Sequence, residues 1–272
     1  MVATYPSTSN NADTTAQAAA LDAADSTYSL LYMDTQGIVE PIRNLLTLGG
    51  ATWTQLYPQD WENEDRLDKS SFPFDLIPVL YVHSKDGRQT VAIAESKVIE
   101  LYLAKKFHCL GKNSYEQVLI SSFVSSIAAL WDDVMYSALA LQASAEVKQE
   151  QLDLCLTKKI PTWVRIHEEH LKANGDNGHY VGDSISLADL RAAALLDIIL
   201  RFPASPHLLT QEMAPGLFKV KAMVDQHPKI AQWRETELYK TFRSTRRSPS
   251  MPRPNCIRLN DRQGNKTGGL VQ

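Results

Sequence analysis

Apolar positions in the first hundred residues recur with two different periods, which predicts a domain of mixed strands and helices. Strand-like patterns cover residues 28–33, 52–57, 78–83 and 89–94. Between the first two strands, Glu40 and Pro41 open an amphipathic helix, and Gly49 and Gly50 end it. A second helix follows the last strand and ends near Lys106. The predicted order is therefore β-α-β, a long loop, and β-β-α.

Beyond residue 113 the strand pattern nearly vanishes and the apolar spacing becomes helical. Long helices are predicted over residues 114–145 and 146–173, the second of them broken or kinked near Pro161. Ser186 and Asp189 have the S-x-x-D spacing of a capping box, and a buried apolar helix follows them. Two further helices each begin at a proline, Pro215 and Pro228. The second half of the chain is thus predicted to be all-α.

Composition and pattern together divide the chain into a tail, two domains with a short linker, and a second tail. The first tail is rich in Ala, Ser, Thr and Asn, and the second is rich in Arg, Ser and Pro, so both are expected to be disordered. The expected parts are 1–27, 28–108, 109–113, 114–243 and 244–272.

Charge and composition exclude several classes of function. The 272 residues are 44% hydrophobic and 22% charged with a net charge of -3, which is typical of a globular protein and gives no reason to expect nucleic acid. The apolar runs look short and interrupted, so no membrane span is expected. The N-terminal residues lack the charged and apolar regions of a signal peptide. Cys109, Cys155 and Cys256 are odd in number and far apart, which favours reduced thiols and a cytoplasmic location.

The segment from Phe72 to Leu80, together with Glu95 and Ser96, has the character of a site for a peptide-like ligand. Pro78 stands at a strand start, and a cis bond before it would turn the backbone N–H and C=O of Ile77 outward. Glu95 and Ser96 meet a helix N-terminus, which attracts a carboxylate. The pattern indicates an α-amino acid head group, with Glu95 for its ammonium and Ser96 for its carboxylate. An ordinary X-Pro turn and helix cap remain the alternative.

Four motifs in this order resemble those of the cytosolic glutathione transferase superfamily. They are Leu31-Tyr32-Met33 with the residues up to Arg43, the segment 72–80, the run from Glu95 to Ala104, and Val181-Gly182-Asp183 with Ser186 and Asp189. The first is similar to the tyrosine-type, sigma- and alpha-like classes, and a specialised member from a fungal biosynthetic pathway is one form that the resemblance allows. The resemblance implies an α/β thioredoxin-like N-terminal domain (βαβ-ββα) and an all-α C-terminal helical domain.

The resemblance also implies a role for each matched residue. Tyr32 would donate a hydrogen bond to the sulfur of glutathione and so favour the nucleophilic thiolate. Glutathione itself would be held by Trp61, Lys69, Ile77, Pro78, Glu95 and Ser96. A small apolar second substrate would contact Gln36, Trp131, Met135 and Tyr136, although the last three are equally compatible with a helix core. A homodimer in the cytoplasm is expected, with no nucleic acid or membrane partner.

Departures from the family pattern leave more than one function open. Gln36 and Ile38 stand where the family commonly has arginine, so less positive charge would act on the thiol. Asp75 and Leu76 replace the usual Gly-Gln. A transferase with a narrow substrate range is therefore expected. A glutathione-dependent double-bond cis-trans isomerase and a non-catalytic binding or structural protein are the alternatives.

Two other kinds of site are disfavoured. A thioredoxin-like oxidoreductase needs a cysteine at the end of the first strand, and residues 32–37 contain none. His167 and His170 share a predicted helix face, which would suit a metal, but Glu168 and Glu169 beside them indicate a solvated surface. No metal site is predicted.

Overall fold

The computed structural model describes residues 14–58, 73–139, 144–201, 209–243 and 256–257. Contacts divide the chain into two compact units. The first comprises Met1–Ile42, Gly49–Tyr102 and Glu235–Gln272, and the second comprises Arg43–Leu48 and Leu103–Arg234. The predicted fold class, an α/β N-terminal domain followed by a helical domain, is confirmed.

A five-stranded mixed sheet forms the centre of the first unit. Its strands are β1 (Thr27–Leu31), β2 (Trp53–Pro58), β3 (Val79–His83), β4 (Thr90–Ala94) and β5 (Cys256–Ile257). Their order is β4-β3-β1-β2-β5. β1 runs parallel to β2 and antiparallel to β3, and β3 pairs antiparallel with β4. The four predicted strands are therefore present, each within about two residues of its expected bounds.

The register of the sheet brings four chain segments to one end. Leu31 at the end of β1 lies opposite Val79 at the start of β3, and Val79 lies opposite Ala94 at the end of β4. Leu31 also lies opposite Leu56, near the end of β2. The residues that follow β1, precede β3 and follow β4 consequently leave the sheet at the same place.

Four α-helices of the described part of the chain contribute to the first unit. They are α1 (Thr15–Asp22), the start of α2 (Glu40–Leu48), most of α3 (Ser96–Lys106) and α10 (Glu237–Arg243), and a 3-10 turn, Gly37–Val39, leads into α2. α2 begins at Glu40, as predicted, because its carboxylate favours the positive end of the helix dipole. The C-terminal helix α10 belongs to this unit, whereas the sequence placed residues up to 243 in the helical domain.

Part of the N-terminal segment is ordered, in contrast to the expected tail over residues 1–27. α1 has the alanine-rich sequence TAQAAALD, which has high intrinsic helix propensity, and it packs against β4 and β3. Ala20 is buried, and the hydroxyl of Ser26 donates to the carbonyl of Ala20. On α3, the hydroxyl of Tyr102 donates to the carbonyl of Leu21 at 2.8 Å. These contacts could not be predicted from the sequence, because the composition of the segment is typical of a disordered tail.

Helices are the only regular secondary structure among the described residues of the second unit. It contains α4 (Ser114–Leu139), α5 (Ala145–Leu154), a π-helical segment (Cys155–Lys159), α6 (Ile160–Ala173), α7 (Leu187–Ile199), α8 (Pro215–Asp225) and α9 (Pro228–Arg234). The predicted break near Pro161 is confirmed, because α5 gives way to the π-helical segment just before it. Proline lacks the N–H that an α-helical interior requires there.

A capping box fixes the start of α7, as the sequence predicted. Asp189 is fully buried and accepts three hydrogen bonds, from the backbone N–H groups of Tyr180 (2.8 Å) and Ser186 (2.7 Å) and from the Ser186 hydroxyl (2.8 Å). The neighbouring residues of α7 are almost all buried. Asp189 therefore ties the loop before α7 to the core of the helical unit, which is a structural role.

α4 is more continuously apolar than the sequence pattern suggested. The stretch Ser114–Met135 has a mean hydropathy of 1.5 and is long enough to cross a membrane, and 33% of its most apolar window is buried. Its serines interrupt the apolar runs without lowering the average much. A core helix of a soluble protein has the same length and composition, so this property by itself assigns no membrane role.

Candidate functional site

The strand ends described above carry the residues that the sequence singled out. Tyr32 directly follows β1, Pro78 directly precedes β3, and Glu95 and Ser96 directly follow β4. Because the register places those ends side by side, the fold brings Tyr32, Pro78 and Ser96 to one end of one sheet. The candidate site is built on rigid elements rather than on a single loop.

Tyr32 is held between β2 and the turn that leads into α2. It is buried, and its backbone N–H donates to the carbonyl of Leu56 at 3.1 Å. Gly37 has a φ of +49°, and a Cβ placed on it would lie 3.0 Å from the Tyr32 Oη and 3.4 Å from its ring. A side chain at position 37 would crowd the phenol, and other residues rarely adopt this φ, so both effects favour glycine there.

The Ile77–Pro78 peptide bond is cis. Pro78 is buried, and Ile77 packs with Leu56 and Tyr81 against the cluster formed by Leu31, Val79 and Ala92. The backbone N–H and C=O of Ile77 are not hydrogen-bonded to any residue that the structure describes. Among the described residues nothing uses the hydrogen-bonding capacity of these two groups, which makes them candidates to pair with a ligand.

Glu95 and Ser96 form the N-terminus of α3. The carbonyl of Glu95 accepts from the N–H groups of Val98 and Ile99, at 2.9 and 3.0 Å. Glu95 has a φ of 66°, a left-handed conformation that costs a residue other than glycine about 1–2 kcal/mol. Such strain concentrates at binding sites. Its side chain is exposed, whereas Ser96 is buried and its hydroxyl makes no hydrogen bond within the described part of the chain.

Gln36 makes a contact that the sequence did not suggest. Its amide Nε2 donates to the hydroxyl of Tyr239 at 2.9 Å, and both residues are buried in the first unit. The two positions are 203 residues apart, so no local spacing could have paired them. Tyr239 and Phe242 are both buried and form the inner face of α10. Their spacing in the sequence was the available indication that this helix packs against the rest of the protein.

The remaining predicted residues are placed as follows. Trp131, Met135 and Tyr136 lie on α4 in the second unit, where Trp131 is buried and Met135 is half-buried. Trp61 and Lys69 lie outside the described residues.

Two buried titratable groups of the helical unit, Cys109 and His167, are unsuited to nucleophilic chemistry. Burial raises the pKa of the Cys109 thiol to about 11, with a smaller contribution from the negative charge of Asp189, so this thiol stays protonated at neutral pH. Burial lowers the pKa of His167 to about 3, and the nearby His170 adds to the effect. No cluster of three metal-binding side chains occurs within the described ranges.

His167 belongs instead to a polar chain inside the helical unit. Its Nδ1 lies 2.8 Å from the hydroxyl of Tyr180 and its Nε2 lies 2.9 Å from the hydroxyl of Ser126. The buried Tyr180 hydroxyl needs an acceptor, whereas the exposed Ser126 can also bond to water. The Tyr180 hydroxyl therefore donates to Nδ1, and Nε2–H donates to Ser126, which leaves Ser126 without a base.

An open cleft of about 560 Å³ in the same unit contains none of the predicted site residues. It lies between α6 and the start of α8. On one wall the carboxylate of Glu168 accepts from the N–H groups of Gly216 (3.0 Å) and Leu217 (2.7 Å) and so caps α8. The cleft is lined by structural contacts, and the strand-end site remains the better candidate.

Comparison with known proteins gives consistent results. The family model described as "Glutathione S-transferase, C-terminal domain" matches residues 132–237. A glutathione S-transferase from Dirofilaria immitis is 30% identical over 210 residues, which cover 76% of this chain and 91% of that protein. S-crystallin SL11 from Nototodarus sloanii is 26% identical over 219 residues, with 76% and 94% covered. The solved structure of a Nu-class GST from Haemonchus contortus is 26% identical with a TM-score of 0.61, and the match covers 78% of this chain and 97% of that one.

These similarities extend over at least nine tenths of each relative, so they concern the whole fold and not one motif. The match to the solved structure supports the same overall fold. The chain belongs to the glutathione S-transferase family.

Proposed function

We propose that the protein binds glutathione at the strand-end site and activates its thiol toward a small apolar electrophile. The observation that carries this proposal is the convergence of Tyr32, Ile77 and Ser96 at one end of the sheet. The backbone groups of Ile77 and the hydroxyl of Ser96 have no partner among the described residues. A family fold without such a site would give no reason to expect binding.

The groups at the site match the parts of the tripeptide. The backbone of Ile77 offers one N–H and one C=O, which is what an extended peptide unit pairs with. Ser96 and the N-terminus of α3 suit the carboxylate of the γ-glutamyl end, and the exposed carboxylate of Glu95 suits its ammonium. The glycyl carboxylate is assigned to Trp61 and Lys69 on the sequence resemblance alone.

Tyr32 is the proposed thiol-activating residue. A phenol hydroxyl that donates to sulfur stabilises the thiolate relative to the thiol. The buried position of Tyr32 strengthens this effect, because water competes less for the hydrogen bond. The tyrosine-type class of the family is proposed on the same residue.

A narrow range of substrates is proposed from the residues near Tyr32. Gln36 and Ile38 bring no positive charge to the turn, so the thiolate gains less electrostatic stabilisation. The second substrate is proposed to be apolar and to contact Trp131, Met135 and Tyr136 of α4. If the substrate is an olefin, glutathione is regenerated, the reaction is an isomerisation, and the product has the mass of the substrate.

A non-catalytic role is the second candidate. The hydrogen bond of Gln36 to Tyr239 favours this role. It gives a structural contact to a side chain at a position where the family commonly has arginine. S-crystallin SL11 shows that the family also includes crystallins. The two candidates differ in one measurement, the turnover of electrophiles with glutathione, which only the enzyme performs.

Glutathione binding is the first expected result. Isothermal calorimetry should give a Kd between micromolar and millimolar, or roughly -8 to -4 kcal/mol. Ser96→Ala should weaken binding about tenfold or more, because a hydrogen bond to a charged group contributes about 1.5–3 kcal/mol. Ser184→Ala removes an exposed hydroxyl of the helical unit and should leave the affinity unchanged. Absence of heat from the wild-type protein at millimolar glutathione would contradict the proposal.

A homodimer is proposed from the outer face of α4. Tyr115 is 73% exposed and Val118 is 62% exposed, which places large apolar side chains one turn apart on the surface. Light scattering at micromolar concentration should give twice the chain mass of 30.4 kDa. Val118→Glu should shift the mass toward one chain, and the control Met223→Glu, on an exposed part of α8, should not. A wild-type mass of a single chain would rule out the dimer.

A further inference from the structure

We propose that Tyr239 is a positioning residue for the chemistry at Tyr32. The inference is that α10 holds the turn of residues 33–39 through the side chain of Gln36 and thereby sets the position of the Tyr32 hydroxyl. It rests on the proposed function, since it concerns how the same site is kept in a productive geometry.

A hydrogen bond joins Gln36 of the turn to Tyr239 of α10. Gln36 Nε2 and Tyr239 Oη are 2.9 Å apart, an ordinary distance for an N–H donor and an oxygen acceptor. Gln36 is 6% exposed and Tyr239 is 1% exposed, so water cannot replace either partner without rearrangement. A buried hydrogen bond of this kind strongly favours one arrangement of the two segments that it joins.

Gly37 connects the position of Gln36 to that of the Tyr32 hydroxyl. Gly37 follows Gln36 directly, and its backbone lies so close to the phenol that a Cβ would come within 3.0 Å of the Tyr32 Oη. Gly37 therefore borders the space that the phenol ring occupies. A displacement of the turn at Gln36 is passed to Gly37 and changes the space in which the Tyr32 hydroxyl is held.

The helix that carries Tyr239, α10, has its own contacts in the first unit. α10 is assigned to the first compact unit with Tyr32, although it follows the helical unit in the sequence. Its N-terminus is capped, because the N–H of Tyr239 donates to the Thr236 hydroxyl at 3.2 Å. Phe242 is 4% exposed and lies about one turn further along the same buried face. Tyr239 thus presents its hydroxyl from a helix that is fixed by contacts of its own.

The test compares Tyr239→Phe with the wild-type protein and with Tyr180→Phe. Both variants remove one buried tyrosine hydroxyl, but that of Tyr180 bonds to His167 in the helical unit. We expect Tyr239→Phe to lower kcat about tenfold with little change in the KM for glutathione, because misplacing a catalytic group affects the transition state more than binding. The pKa of the bound thiol, followed by thiolate absorbance against pH, should rise by about one. Tyr180→Phe should change neither quantity, although it lowers stability.

A double-variant cycle keeps the inference falsifiable if one protein folds poorly. Gln36→Leu removes the donor of the same hydrogen bond, so Gln36→Leu combined with Tyr239→Phe should resemble either single variant rather than the product of their effects. A Tyr239→Phe protein with a wild-type pH profile and kcat, or additive effects in the cycle, would overturn the inference. If Tyr32→Phe impairs the assay while Tyr239→Phe does not, the proposed function stands and this inference fails. If wild-type protein binds no glutathione, the proposed function fails first, and this inference with it.

Discussion

Replacing Tyr32 by phenylalanine should slow the glutathione-dependent reaction about ten- to a hundredfold. A hydrogen bond to a charged partner contributes about 1.5–3 kcal/mol. Its loss should raise the pKa of the bound thiol by about one to two. The variant keeps the ring that rests against Gly37, so the turn and the fold should remain intact. The rate is to be measured with a panel of small apolar electrophiles and olefins, together with the mass of each product.

The affinity for glutathione separates a chemical role of Tyr32 from a role in binding. Ser96→Ala should raise the Kd and alter the rate at saturation little, whereas Tyr32→Phe should do the opposite. Tyr180→Phe again serves as the control for the loss of a buried phenol hydroxyl. Full activity in Tyr32→Phe would assign the activation of the thiol to another residue. Strong turnover in the absence of glutathione would show that glutathione takes no part in the mechanism.

Replacing Asp189 by alanine should destabilise the fold by about 3–5 kcal/mol. The change leaves the buried N–H groups of Tyr180 and Ser186 without their acceptor, and each such group costs about 1–3 kcal/mol. Loss of the capping box at the start of α7 adds to this cost. Urea denaturation followed by tryptophan fluorescence should show a clearly lower midpoint.

Matched variants test whether the buried network causes that loss. Asp183→Ala removes an exposed carboxylate that pairs with Lys112 at 2.7 Å, and a surface pair of this kind contributes about 0–1 kcal/mol. Asp189→Asn keeps an oxygen acceptor and should fall between the wild-type protein and Asp189→Ala. A midpoint of Asp189→Ala within about 0.3 M urea of the Asp183→Ala value, which is less than about 1 kcal/mol at about 1–3 kcal/mol per molar, would show that the capping box contributes far less.

The sequence could place the proposed site residues at strand ends because the signals for those ends are local. Pro78, Glu95 and Ser96 each stand next to a strand, and strand ends are readable from apolar patterns and turn residues. The capping box at Ser186 and Asp189 is likewise a motif of fixed spacing, so its structural role could be assigned before its hydrogen bonds were known.

Contacts between distant parts of the chain were beyond the reach of such patterns. The pairing of Gln36 with Tyr239 depends on where α10 packs, which no spacing of residues encodes. The order of α1 depends on the burial of Ala20 and on the bond from Tyr102 to Leu21, whereas its composition resembles that of a disordered tail. In both cases tertiary packing decided the outcome.

The two terminal segments also have a consequence for the open sides of the sheet. β2 is an outer strand of the four-stranded core, and β5 from the C-terminal segment pairs along it. On the opposite side, α1 packs against the outer strand β4 and its neighbour β3. An unpaired outer strand is a template on which another chain can add and aggregation can begin. Trimming the C-terminal segment would therefore leave the edge of β2 open to self-association, and removing α1 would uncover the residues of β4 and β3 that it packs against.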